Sequence, residues 1–262
     1  MLHKKGLCWN GKWKAEHMKV RNDIKDFVIT EVPNDTTSKE GMQADFRNFF
    51  EIIFPYYEHE EIDSASGEKK KVLPCYFLQF QHNCMEVPEV HEREKLEKFQ
   101  RFLGCHPAFM SPAALSTLIC HLYRDCDSLR KPQDTVYEPL QVSETLLIEW
   151  RGVRHFGIPF SNVYWHFFVD VYELGYWFLL KYLRNFIEHA HRYTKDQGTV
   201  LDIVTTALMI GEYLSKFVPQ LILFIVRNCD IDGPFSTTWT MFEDSEFRFF
   251  MLSDGNVLCQ CS

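Results

Sequence analysis

The chain has 262 residues, of which 46% are hydrophobic and 15% aromatic, which excludes a disordered linker and predicts a sizeable core built on large rings. A formal net charge of −8 at pH 7 has the wrong sign for broad phosphate-backbone binding, so nucleic acid is disfavoured as a partner. The nine cysteines, an odd number with no C-x-x-C pair, do not follow a disulfide framework, and reduced thiols in a cytoplasmic or nuclear setting are expected.

In chain order, the opening MLHKKGLCWNGKWK lacks the apolar centre of a secretion signal, which fits the same intracellular expectation. Lys25 to Val32 reads as a short strand ended by the turn formers Pro33-Asn34-Asp35. Within it, Asp26-Phe27-Val28-Ile29-Thr30-Glu31 resembles the D-F-x-V-x-E element near the start of the TruD family of pseudouridine synthases. The resemblance covers six residues, and the G-x-K-D-x-x-A motif that holds that family's catalytic aspartate does not occur, so it carries no catalytic residue to this chain.

Asp45 to Tyr57 places Phe46, Phe49, Phe50, Ile53 and Phe54 at helical spacing, with Pro55 near its end. Glu58 to Lys71 reads as a polar loop in which Lys69-Lys70-Lys71 is solvated. Val72 to Phe80 fits either a strand or a short helix. These residues, 1–83, form an irregular mixed α/β segment ahead of a helical core at 84–231.

Glu92 to Leu103 predicts a helix with Leu96, Phe99, Phe102 and Leu103 on one face and Gly104 as its stop. Ser111 as N-cap and Pro112 at the first helical position open another, running to about Arg124. A polar connection, Asp125 to Glu138, leads to a helix at Val142 to Trp150 capped by Ser143, and Gly152, Gly157 and Pro159 separate it from the next element.

Ser161 to Arg192 then reads as one long, nearly buried helix with Ser161 as N-cap. Its polar residues His166, Asp170, Glu173, Lys181, Arg184, Glu188 and His191 fall within roughly 80° of one another at 100° per residue. Gly175, opposite that stripe, suggests a close helix–helix approach. After the turn Asp196-Gln197-Gly198, Thr199 or Asp202 starts a second long helix reaching about Asn228, kinked at Pro219. Its densest apolar run, Phe217 to Val226, is about half the length of a membrane span, so none is expected. The tail, 232–262, alternates strand formers with turn residues and fits a small β-meander or a short helical tail packed on the core.

The expected fold is therefore mainly α: a multi-helical domain with two long central antiparallel helices, in an order that suits an α-solenoid-like stack of helix pairs, with short β or irregular segments at both ends. No catalytic motif is present, whether G-x-S-x-G, a phosphate loop, G-x-G-x-x-G or H-E-x-x-H. Glu188-His189-Ala190-His191 contains one E-x-x-H, but a di-iron bundle needs two, and a histidine pair at a helix end is the plainer meaning. Cys120-His121 with Cys126, and Cys259 with Cys261, lack zinc spacing. His166, Asp170 and Glu173 form a titratable row that reads as a solvated face. No metal, cofactor or catalytic residue is assigned.

Trp177 is the exception on the polar stripe, a large ring among Glu173, Lys181 and Arg184, and such a residue reads as a partner contact unless another segment folds over it. The expected function is a non-enzymatic protein–protein interaction or scaffold module of an intracellular complex, with these four residues at the contact. The alternative is an enzyme whose site lies in a helical pocket without a motif. Oligomeric state is not legible.

Overall fold

The computed structural model describes residues 6–21, 26–33, 35–62, 66–128, 145–166, 176–194, 201–228 and 238, and the chain divides into two compact units at Leu103 and Gly104. The boundary expected at residue 83 falls inside a helix. Among the described residues the protein is mainly helical, with three small antiparallel sheets.

In the first unit, β1 (Leu7–Cys8) pairs with β4 (Asp35–Thr36), and β2 (Met18–Arg21) pairs with β3 (Asp26–Ile29), the core of the expected strand. α1 spans Lys39–Tyr57 and starts earlier than the apolar period suggests, because Ser38 caps it: its Oγ accepts the Gly41 N–H at 3.0 Å. Asp45, buried on α1, accepts the Trp9 N–H at 3.0 Å and the Gly11 N–H at 2.7 Å, which ties the N-terminal turn to the helix. Pro55 lies in the last turn, where one missing N–H does not stop the helix.

The expected loop at 58–71 is instead a hairpin of β5 (His59–Ile62) and β6 (Lys69–Val72). Its strands lack apolar alternation, and exposed ion pairs across them accompany the backbone ladder: Lys69 Nζ lies 2.8 Å from Glu60 and Lys71 Nζ 3.1 Å from Glu58. α2 (Phe77–Met85) resolves the next ambiguity as a helix, packed on α1 through Phe50 with Phe80 and Tyr57 with Phe77. α3 (Arg93–Gly104) buries Phe99 against Met42 and Val87.

In the second unit, α4 (Pro112–Ser128) begins where Ser111 Oγ accepts the Ala114 N–H at 3.2 Å, and it packs against two later helices. Thr145–His155 is a 3₁₀ stretch rather than the α-helix expected from Val142, and Ser143 lies outside the described residues. The remaining helices are α5 (Phe160–His166), α6 (Tyr176–His189) with a 3₁₀ turn at Ala190–Tyr193, α7 (Ile203–Leu214) and α8 (Phe217–Asn228).

Ser161 to Arg192 is not one helix. The Phe160 ring stacks on Phe186 with centroids 4.4 Å apart, and the Tyr182 hydroxyl donates to the Phe160 carbonyl at 3.1 Å. A continuous helix would hold residues 160 and 186 about 39 Å apart. Tyr164 also lies beside Tyr182, so α5 and α6 run antiparallel, and the helix starts at Phe160, which puts Ser161 inside it rather than at its cap. Asp170, Glu173 and Gly175 lie outside the described residues.

The second long helix is likewise two. Asp202 caps α7, accepting the Thr205 N–H at 2.7 Å, but the axis turns by 89° before α8. A proline crowds the carbonyl four residues back, here Ser215, and Pro219 is tolerated because it occupies the first turn of α8, where its missing N–H has no partner to lose. No single described helix is long and apolar enough to cross a membrane. The tail expected as strand or short helix lies outside the described residues apart from Thr238, which is buried and donates its hydroxyl to the Asp125 carboxylate.

Candidate interaction surface

Lys181, Arg184 and Glu188 share one face of α6 by their three- and four-residue spacing, and that face meets α4. Trp177, expected to point outward from it, is 2% exposed. Its indole stacks on Tyr123 of α4, with centroids 5.2 Å apart and planes inclined by 17°. The correction has a simple cause: an angular count on an isolated helix shows which residues share a stripe but not that a neighbouring helix covers one end of it.

The stack continues outward. The Arg184 guanidinium carbon lies 5.3 Å from the centre of the Tyr123 ring, so a cation caps the aromatic pair. Its Nη2 pairs with the Glu188 carboxylate one turn on, and its Nη1 donates to Asn185 Oδ1 at 2.9 Å. Trp177, Tyr123 and Arg184 therefore form a ladder from the core to the surface, and Arg184 reaches solvent in a fixed orientation.

Around this ladder the charge is positive. Arg124 on α4 and Arg192 in the turn after α6 are exposed, and Lys181 is half-buried. Arg124, Lys181 and Arg192 form no ion pair among the described residues. Burial raises the Cys120 thiol, Glu188 raises it further, and Arg124 and Arg184 oppose them, so the sulfur stays protonated and is a poor nucleophile. Burial, then Arg192, pushes His189 down, against the pull of Glu188, which keeps the imidazole neutral near pH 7.

The other candidate groups do not converge. Among the described residues no group of three His, Cys, Asp or Glu side chains could hold a metal ion. Cys126 is buried in the core while Cys120 lies on the flank of α4, as a six-residue separation requires. His166 rests edge-on against Tyr193, and its expected companions Asp170 and Glu173 are outside the described residues. In the first unit, an open depression of about 510 Å³ is lined by Thr37, Ser38, Lys39, Glu89 and Arg93, and its Lys39 and Glu89 neutralise each other at 2.9 Å.

Lys181 and Arg184 are legible from helical spacing. Tyr123, Arg124 and Arg192 are not, because the α4 residues come from more than fifty positions earlier and Arg192 belongs to a 3₁₀ turn.

No protein-family model matches the chain, and no curated protein or solved structure matches it significantly, so the six-residue likeness to TruD enzymes gains no support.

Proposed function

We propose that this protein is a non-enzymatic interaction module of an intracellular complex, and that the ridge formed by α4 and α6 is its contact face. One observation carries the reading. Elsewhere among the described residues several lysines are matched to acids, Lys12 with Asp35, Lys39 with Glu89, Lys69 with Glu60, Lys71 with Glu58, Lys95 with Glu92, and Lys98 with Glu94, and cations without an acid, such as Lys19, Lys70, Lys216, Arg47 and Arg93, lie on separate segments rather than on one face. On the ridge, Arg124, Lys181 and Arg192 have no such acid among the described residues, although the chain as a whole carries a charge of −8. Cations gathered on one face of an acidic protein steer and orient an oppositely charged partner. Trp177 serves the contact indirectly in this reading, as the buried base of the ladder that holds Arg184.

The test is affinity purification from the native cell with cross-linking at lysine. A stoichiometric partner cross-linked at Lys181 is the expected result. A chain that purifies alone, or a partner whose cross-links avoid the ridge, overturns the proposal.

A further inference from the structure

We infer that the ridge recognises an extended acidic protein segment, with carboxylate or phosphate side chains at alternate positions. This inference rests on the ridge being a contact face and adds the chemistry of what it contacts.

Three features of the site narrow the partner. The first is the state of the aromatic rings. Nucleic-acid surfaces pair cations with open ring faces on which bases stack. Here Trp177 is covered by Tyr123, and Tyr123 in turn by Arg184, so neither ring offers a face to a base.

The second is spacing. Lys181 to His189 rises roughly 12 Å along α6 at about 1.5 Å per residue, and the 3₁₀ turn carries Arg192 past the end of that helix. An extended peptide repeats its side chains on one face about every 7 Å. Three acids at alternate positions therefore span roughly 14 Å, enough to run the length of α6 from Lys181 to the turn that carries Arg192. A helical segment would place its acids at about 5–6 Å intervals and meet the cations less evenly.

The third is the fixed centre. Arg184 is already oriented by Tyr123, Asn185 and Glu188, so it loses little freedom when a partner arrives. Glu188 beside it repels an acid at mid-ridge and offers Arg184 a competing carboxylate. Asp127, exposed one turn beyond Arg124, repels an acid at that edge. The favoured positions for incoming acids thus flank Glu188, toward Arg124 and Lys181 on one side and Arg192 on the other.

Fluorescence anisotropy on the whole chain tests this with three synthetic decapeptides of one scaffold, carrying alternating Glu, alternating phosphoserine, or alternating Gln. The expected result is binding of both charged peptides, no binding of the Gln peptide, and about tenfold weakening from 50 to 300 mM salt, because the attraction between exposed charges is screened as the Debye length shortens. The relative affinity of the Glu and phosphoserine peptides identifies which acid the ridge prefers. Arg124→Gln with Arg192→Gln should weaken binding at least tenfold with an unchanged melting temperature, because both side chains are exposed. Glu188→Gln, which keeps an amide oxygen to accept from Arg184 and removes the competing charge, should tighten it severalfold, which a purely structural role for Glu188 would not produce. Equal binding of charged and neutral peptides, no binding at all, or binding indifferent to these substitutions overturns the inference. A native partner cross-linked at Lys181 that stays bound in high salt and to the double variant would leave the interaction module standing and remove only its acidic partner.

Discussion

The Phe160 and Phe186 rings lie parallel at 4.4 Å, although 26 residues of chain separate them. Their stack, with Tyr164 beside Tyr182, shows that α5 and α6 are a pair of antiparallel helices instead of one rod. Phe186→Ala should cost about 3–5 kcal/mol of stability, as for a fully buried ring. In a double-mutant cycle with Phe160→Ala, chemical denaturation should show a coupling of about 0.5–1.5 kcal/mol. Strict additivity would mean the rings do not touch.

How much of this is readable in the sequence depends on the kind of signal involved. Ser111 and Asp202 are legible as helix starts because a cap is local chemistry, a side-chain oxygen three residues before the N–H it accepts. Ser38 is not, because the first turn it caps, Lys39 to Met42, carries only one large apolar residue. The reversal between His166 and Tyr176 is illegible for a different reason: the polar positions keep the same phase on both sides of it, and phase does not report continuity. Pro219 does signal an interruption, but the size of the turn depends on what α8 packs against. On the ridge, the α6 half is visible in helical spacing, while the α4 half exists only through tertiary packing.

A buried histidine makes stability depend on acidity. His106 is 0% exposed, its Nδ1 accepts the Ala108 N–H at 3.1 Å, and burial pushes it down to about 3. The folded value is below the unfolded one of about 6.5, so protonation favours unfolding. The stability is fully present above about pH 6.5 and declines as pH falls toward 3, by about 1.4 kcal/mol per pH unit from this group alone. Denaturation midpoints measured from pH 7 to 4 should drop along that slope, and His106→Asn should flatten it. An unchanged slope in the variant would assign the acid sensitivity elsewhere.

Gly41 marks a contact with no spare room. A Cβ at that position would lie 2.7 Å from Cys8 Sγ, and Cys8 is itself fully buried beside Thr36, whose carbonyl accepts its S–H. Gly41→Ala should destabilise the first unit by about 1–3 kcal/mol through overpacking, despite alanine's better helix propensity. Cys8→Ala in the same chain should recover part of the loss, since it removes the sulfur that the new methyl meets. If the double variant is no more stable than Gly41→Ala alone, the clash is not the cause.

The ladder itself separates stability from recognition. Trp177 lies at its buried end, so Trp177→Ala should cost about 3 kcal/mol or more in thermal or chemical unfolding, as truncation of a packed aromatic does. Tyr123→Leu should keep much of the apolar burial yet remove the ring on which Arg184 rests, so its stability loss should be smaller, about 1–2 kcal/mol. If the ridge binds through an oriented guanidinium, Tyr123→Leu and Arg184→Lys should weaken binding of the acidic peptide by similar factors, because both release the charge from its fixed position. A variant at Tyr123 that binds as the parent does would show that charge alone suffices. A variant at Trp177 that melts with the parent would show that the indole does not carry the packing its burial implies.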